Sequence, residues 1–156
     1  MPKFIDRINE MATLENEYAR DGASFVVIYG RRRVGKTALI NHFCEDKSAI
    51  FFLATEESES DNRNAFKNLV SEMFDNELLA SASLDSWAPI FKSVAEESEK
   101  KRIVLVIDEF QNLGKANKAF PSIMQKIWDE VLSKANIMLI LCGSLINMMT
   151  SQVLNY

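Results

Sequence analysis

Apolar positions along this chain follow two rhythms. Four short runs are almost unbroken and rich in β-branched or aromatic residues: SFVVIY (24–29), AIFFLA (49–54), RIVLVI (102–107) and IMLILC (137–142). Such runs predict strands buried on both faces. Between them, apolar residues return every three or four positions, the spacing of a helix with one buried face. Ile8, Met11, Leu14 and Tyr18 mark the first, with Gly22 expected as its C-terminal cap. Leu39, Ile40, Phe43 and Cys44 mark a second, from Lys36 to about Asp46. The polar stretch TEESESDNRN leads into a third, carrying Phe66, Leu69, Val70, Met73 and Phe74. Asp85 is expected to cap a fourth, carrying Trp87, Ile90, Phe91 and Val94, with Pro89 in its first turn. EESEKK (96–101) reads as the solvated end of that helix. Pro121 opens a fifth, lined by Ile123, Met124, Ile127, Trp128, Val131 and Leu132.

Fully apolar strands alternating with amphipathic helices predict an α/β fold around a mostly parallel sheet. At 156 residues the chain is one domain, without internal repeats or a low-complexity linker. It is long enough to bury about 70% of its unfolded surface. The balance of 18 Lys and Arg against 22 Asp and Glu gives a net charge of −4, which argues against broad adhesion to nucleic acid. No stretch approaches the roughly 20 apolar residues of a membrane span, and charges interrupt MPKFIDRINEM, so it is not a secretion leader. Cys44 and Cys142 read as free thiols in the core of a cytoplasmic protein. His42 is the only histidine, which argues against histidine-rich metal sites and histidine-based triads.

The candidate chemistry begins at YGRRRVGKTALI (29–40), directly after one expected strand and directly before a helix. Gly30 to Thr37 fits G-x-x-x-x-G-K-[ST] at the place where loop and helix N–H groups converge on an anion. Glycines let the main chain approach phosphate closely. Lys36 is placed to reach the β- and γ-phosphates and to act in catalysis, and the Thr37 hydroxyl to coordinate Mg²⁺. The nucleotide-binding set is Gly30, Arg31, Arg32, Arg33, Val34, Gly35, Lys36, Thr37 and Ala38. Three arginines are too short and isolated a run to indicate nucleic acid. They read as exposed positions of the loop that add positive potential.

IVLVIDEFQNL supplies the second part. Asp108 closes the third strand, where an acid can hold Mg²⁺ through water, and Glu109 follows, where it can orient and deprotonate an attacking water. The adjacent acids favour ATP hydrolysis over kinase or GTPase chemistry. A guanine site would show Asn-Lys-x-Asp, and NKAF (117–120) has Phe120 where that aspartate belongs. In LILCGSLINMM, Ser144 stands just past the fourth strand, which in such sheets lies between the strand before the phosphate loop and the Asp108 strand. Two readings stay open for Ser144: a polar group touching the γ-phosphate or attacking water, or a plain strand-ending turn.

These stretches, together with FIDRINEMATLENEY at the start, resemble the archaeal-type ATPases, in the STAND branch related to AAA+ proteins. The resemblance implies a three-layer P-loop NTPase of the ASCE type, strand order 5-1-4-3-2, ATP or ADP and Mg²⁺ as ligands, and a nucleotide-driven switch. It also implies that FIDR (4–7), with Asp6 and Arg7, lies near the adenine. Family members continue through a fifth strand, a basic segment and a helical and winged-helix region, whereas this sequence stops at SQVLNY. The expectation is therefore a single ATPase domain over 1–156, cut short at its C-terminal end. Four strands in the order 1-4-3-2 would leave SFVVIY as a bare edge that invites self-association, and the piece would turn over ATP negligibly. Three alternatives stand beside the ATPase: a regulatory switch that binds nucleotide and hardly hydrolyses it, a small-molecule kinase, and a nucleic-acid-binding module acting through Arg31 to Arg33. No basic lid follows Asp108 to suit the kinase, and any nucleic-acid or protein partner would belong to the region beyond SQVLNY.

Overall fold

The computed structural model describes residues 3–5, 10–29 and 35–143. Its centre is a five-stranded sheet in which every pairing is parallel: β1 (Lys3–Ile5), β2 (Ser24–Tyr29), β3 (Ser48–Leu53), β4 (Ile103–Asp108) and β5 (Ile137–Gly143), in the order β1-β2-β5-β4-β3. The four apolar runs therefore hold the expected 1-4-3-2 order, and β5 lies between β2 and β4 as anticipated. The bare edge does not occur. Lys3–Ile5 pairs along β2, with Phe4 opposite Val27, so the sheet has a fifth strand and the motive for self-association through SFVVIY is removed.

Alternation along the strands sorts their side chains into two cores, because successive residues point to opposite faces. Val26, Ile28, Val104, Val106, Met138 and Ile140 face α1 (Glu10–Tyr18) and α2 (Lys36–Cys44), meeting Leu14, Ile40 and Phe43. Val27, Ile50, Phe52, Leu105, Ile107 and Leu139 face α3 (Glu59–Met73), α4 (Glu77–Ser81), α5 (Ala88–Glu97), α6 (Gln111–Ala116) and α7 (Phe120–Glu130). A short 3₁₀ turn, Leu132–Lys134, takes up the end of the periodicity expected for α7. Both cysteines are free; Cys142 is buried and Cys44 half-buried, and burial pushes the Cys44 thiol up to about 11.

Several boundaries differ from the sequence expectation for local reasons. Ile8 lies outside the described residues, and α1 runs from Glu10. Gly22 does adopt the left-handed backbone, φ 81°, but it serves the turn before β2, four residues past the end of α1. α3 begins inside the polar stretch, since the Ser58 hydroxyl accepts the Asp61 N–H at 3.1 Å and caps it. Asp85 does not cap α5; Trp87 holds that position without a side-chain bond. Within EESEKK, Ser98 is fully buried, donating to the Ala95 carbonyl and accepting the Asn136 N–H.

Phe66 anchors the larger core: its ring centroid lies 5.1 Å from Phe52, 5.0 Å from Phe91 and 6.1 Å from Trp87. Truncating a fully buried aromatic removes its transfer energy and leaves a cavity. Phe66→Ala is expected to lower unfolding free energy by about 3–5 kcal/mol in urea titrations. A loss below about 1 kcal/mol would mean that the ring is not central to this core.

Candidate functional site

Because all strands run the same way, their carboxyl ends form one rim of the sheet, the side where open parallel sheets bind ligands. Tyr29, Leu53, Asp108 and Gly143 end their strands there. Gly35 opens α2 with φ 81° and ψ 13°, a left-handed conformation that glycine adopts without steric cost. The Leu39 N–H bonds the Gly35 carbonyl at 2.9 Å and closes the first helical turn. The leading N–H groups of α2, at Lys36, Thr37 and Ala38, have no carbonyl partner within the helix and carry the positive end of its dipole. Thr37 and Ala38 are exposed.

Lys36 points the other way, into the rim. Its side chain is 8% exposed, and Nζ lies 3.9 Å from Asp108 Oδ1 and 4.0 Å from Glu109 Oε1. Neither distance is a hydrogen bond, and among the described residues Nζ is buried without a hydrogen-bond partner. A buried ammonium attracted by two carboxylates but bonded to neither has donors to spare for an anionic ligand.

Asp108 is held by backbone on both sides. It pairs in register with Leu53, and its carbonyl accepts the Ala54 N–H at 3.0 Å. Its Oδ1 accepts the Glu109 N–H at 2.9 Å. Burial pushes the Asp108 carboxyl above its ordinary pKa, against the opposing pull of the Lys36 ammonium and the Glu109 N–H. The donor set suits Mg²⁺, which takes one or two protein oxygens and fills its shell with water and phosphate. The described residues contain no cluster of three or more His, Cys, Asp or Glu that could hold a metal.

Glu109 has φ 55°, a left-handed backbone that disfavours a side chain. This turn lets the chain leave β4 and start α6, where the Phe110 N–H bonds the Cys142 carbonyl at 2.9 Å and ties the turn to β5. Gln111 Nε2 donates to Glu109 Oε2 at 2.5 Å, and Asn112 Nδ2 donates to the Ala54 carbonyl at 3.2 Å. Both side chains are buried, and the sequence reading passed over both. Their signal was faint: two polar residues directly after an acid pair look like an exposed loop.

The structure thus brings Gly35, Lys36, Thr37, Asp108 and Glu109 together, with Ala38 on the first turn of α2. Gly30, Arg31, Arg32, Arg33, Val34, Ser144, Asp6 and Arg7 lie outside the described residues. A cavity of about 690 Å³ opens elsewhere, between α3, α5 and α7, lined in part by Glu59, Arg63, Trp87, Lys92 and Ile127. It shares no residue with the rim. The rim, where charged groups of opposite sign converge on a helix N-terminus, is the stronger candidate for chemistry.

A parallel sheet with order 1-4-3-2, a Gly-Lys-Thr opening the helix after one central strand, and an acid pair ending another define a P-loop NTPase fold. Comparison makes this specific. The chain belongs to the family described as an ATPase domain predominantly from Archaea, which matches residues 4–156. An uncharacterized protein of Methanocaldococcus jannaschii, MJECL04, is 35% identical over 153 residues, 98% of this chain and 32% of its own length. An uncharacterized ATP-binding protein of the same organism, MJ0423, is 46% identical over 44 residues, covering 28% of this chain and 75% of its own. Among solved structures, the Walker-type ATPase PABY2304 of Pyrococcus abyssi superposes with TM-score 0.68 at 19% identity, over 97% of this chain and 50% of that one. The ORC2 protein of Aeropyrum pernix, solved as ADPNP–ADP complexes, gives TM-score 0.68 at 17% identity, over 98% and 47%. The chain therefore spans about a third of MJECL04 and about half of each solved neighbour.

The raised Asp108 pKa carries a signed consequence. With the folded value above the unfolded value of 3.8, ionising Asp108 weakens the fold. That cost is absent below about pH 4 and grows as pH rises through the folded value. Asp108→Asn, which cannot ionise, is expected to gain stability relative to wild type between about pH 4 and pH 7. Urea midpoints of the two proteins across that range check it. A gap that stays constant, or moves in favour of wild type, contradicts the assignment.

Proposed function

We propose that this chain is the ATP-binding module of a Mg²⁺-dependent ATPase of the STAND/AAA+-like class, coupling hydrolysis to a conformational switch in the cytoplasm. The observation that carries the reading is the Lys36 ammonium, buried at the rim beside Asp108 and Glu109 and bonded to neither. Family membership and the likeness to a solved ADPNP–ADP complex support nucleotide as the ligand.

In this reading, Gly30 to Ala38 wrap the phosphates and the leading N–H groups of α2 receive their charge. Lys36 exchanges its loose attraction to the two carboxylates for direct bonds to β- and γ-phosphate oxygens. Thr37 and Asp108 hold Mg²⁺, which when bound neutralises charge on the phosphates. Glu109 takes a proton from the attacking water, and Ser144 contacts the γ-phosphate or that water. The same reading assigns Asp6 and Arg7, outside the described residues, to the adenine. A slow regulatory switch would use the same groups and differ in rate, so single-turnover hydrolysis by the full-length protein separates the two.

Lys36→Ala is expected to weaken ATP binding with its cooperative unfolding transition intact, since Lys36 is a ligand group and not a packing group. Calorimetry giving equal affinities for both proteins would overturn the assignment. In the full-length protein, Glu109→Gln is expected to bind ATP almost normally while hydrolysing it about 10²-fold more slowly, as for loss of a general base. Hydrolysis at the wild-type rate would place the base elsewhere.

A further inference from the structure

Glu109 alone does not hold its own carboxylate in place. Its backbone is left-handed, its N–H is committed to Asp108 Oδ1, and Lys36 stands 4.0 Å from Oε1. Among the described residues, the one direct hydrogen bond to its carboxylate is the 2.5 Å contact from Gln111 Nε2 to Oε2. Gln111 is only 3% exposed, and its amide oxygen, Oε1, is buried with no hydrogen-bond partner among the described residues. Burying an acceptor without a donor costs free energy, and such groups in folded proteins call for an explanation. Here the orphaned acceptor belongs to the side chain that grips the candidate base.

We propose that Gln111 is the positioning residue for hydrolysis: its buried amide N–H₂ fixes the Glu109 carboxylate so that Oε1 faces the attacking water. The inference rests on the ATPase reading and assigns a residue which that reading lacks. Held by Gln111 through Oε2, Glu109 accepts one hydrogen of the water at Oε1 and leaves an oxygen lone pair for phosphorus. The O–P bond to water forms as the bond from the γ-phosphorus to the β,γ-bridging oxygen breaks. One water proton passes to Glu109, the bridging electron pair leaves with ADP, and the proton on Glu109 then returns to phosphate or solvent. Misplacing a reacting group by about 1 Å can cost about 10²-fold in rate.

Gln111→Met keeps the buried volume close to that of glutamine and removes both amide functions. In the full-length protein it is expected to retain ATP affinity and KM within about 2-fold while kcat falls about 10- to 100-fold. A wild-type kcat, or a kcat loss matched by an equal loss of ATP affinity, overturns the role. The second measurement needs no turnover. In ¹⁵N spectra of nucleotide-free protein, the Gln111 side-chain amide pair is expected to shift and to exchange faster with solvent in Glu109→Ala, which takes the carboxylate away. An unchanged pair means that Glu109 does not hold the amide, and the proposal falls at any hydrolysis rate. Failure of the ATPase reading looks different: ATP then binds equally to wild type and Lys36→Ala, and Gln111→Met has no kcat to lower.

Discussion

The arrangement at the rim depends on one buried positive charge. Taking an ammonium out of water is costly unless opposite charge and hydrogen bonds replace its hydration. Lys36 receives the first from Asp108 and Glu109, at 3.9 Å and 4.0 Å, and among the described residues lacks the second. The same geometry burdens its neighbour: burial outweighs the lysine's pull on Asp108, whose carboxyl stays above its ordinary pKa. Two acids and one base are held close, the acids hydrogen-bonded and the base, among the described residues, not. A phosphate ligand would complete the lysine's bonds, and a cation would complete the aspartate's, so binding and charge balance are one problem with one solution.

Parallel topology is what brings these groups together. Lys36 follows β2, Asp108 ends β4, and β5 separates those strands, so the lysine must reach across the rim of the neighbouring strand. The Phe110 N–H bonded to the Cys142 carbonyl and the Asp108 carbonyl bonded to the Ala54 N–H lock the β4 turn between β5 and β3. Glu109 then projects from a left-handed backbone that only such anchoring can hold. At the far end of α6, Asn117 Nδ2 donates to Glu59 Oε2 at 2.8 Å, and the Trp87 indole N–H shares that oxygen at 3.2 Å. One short helix thus joins the acid pair to the polar junction between α3 and α5.

Much of this was legible in the residues because burial leaves a pattern. Strands covered on both faces must be apolar throughout, and the four runs found that way are the four long strands, shifted by no more than one residue at either end. The lysine, threonine and acid pair were legible because phosphate chemistry needs those types at those offsets. Other parts left no such trace. β1 is three residues long, too short for a period, and exists by pairing with β2. α4 and α6 span five and six residues, and α6 buries Gln111 and Asn112 where a helical stripe would show apolar residues. Their burial follows from neighbours distant in sequence, Glu109 excepted, and no local pattern encodes it.

The central claim is that the rim at Lys36 is a phosphate site. A crystal structure of the full-length protein with a non-hydrolysable ATP analogue and Mg²⁺ tests it most directly. The account predicts Lys36 Nζ within hydrogen-bond distance of β- and γ-phosphate oxygens, with the cation between Thr37, Asp108 and the phosphates. Nucleotide seated instead in the cavity beside Trp87, or at the rim with Lys36 still turned to the two carboxylates, would contradict it.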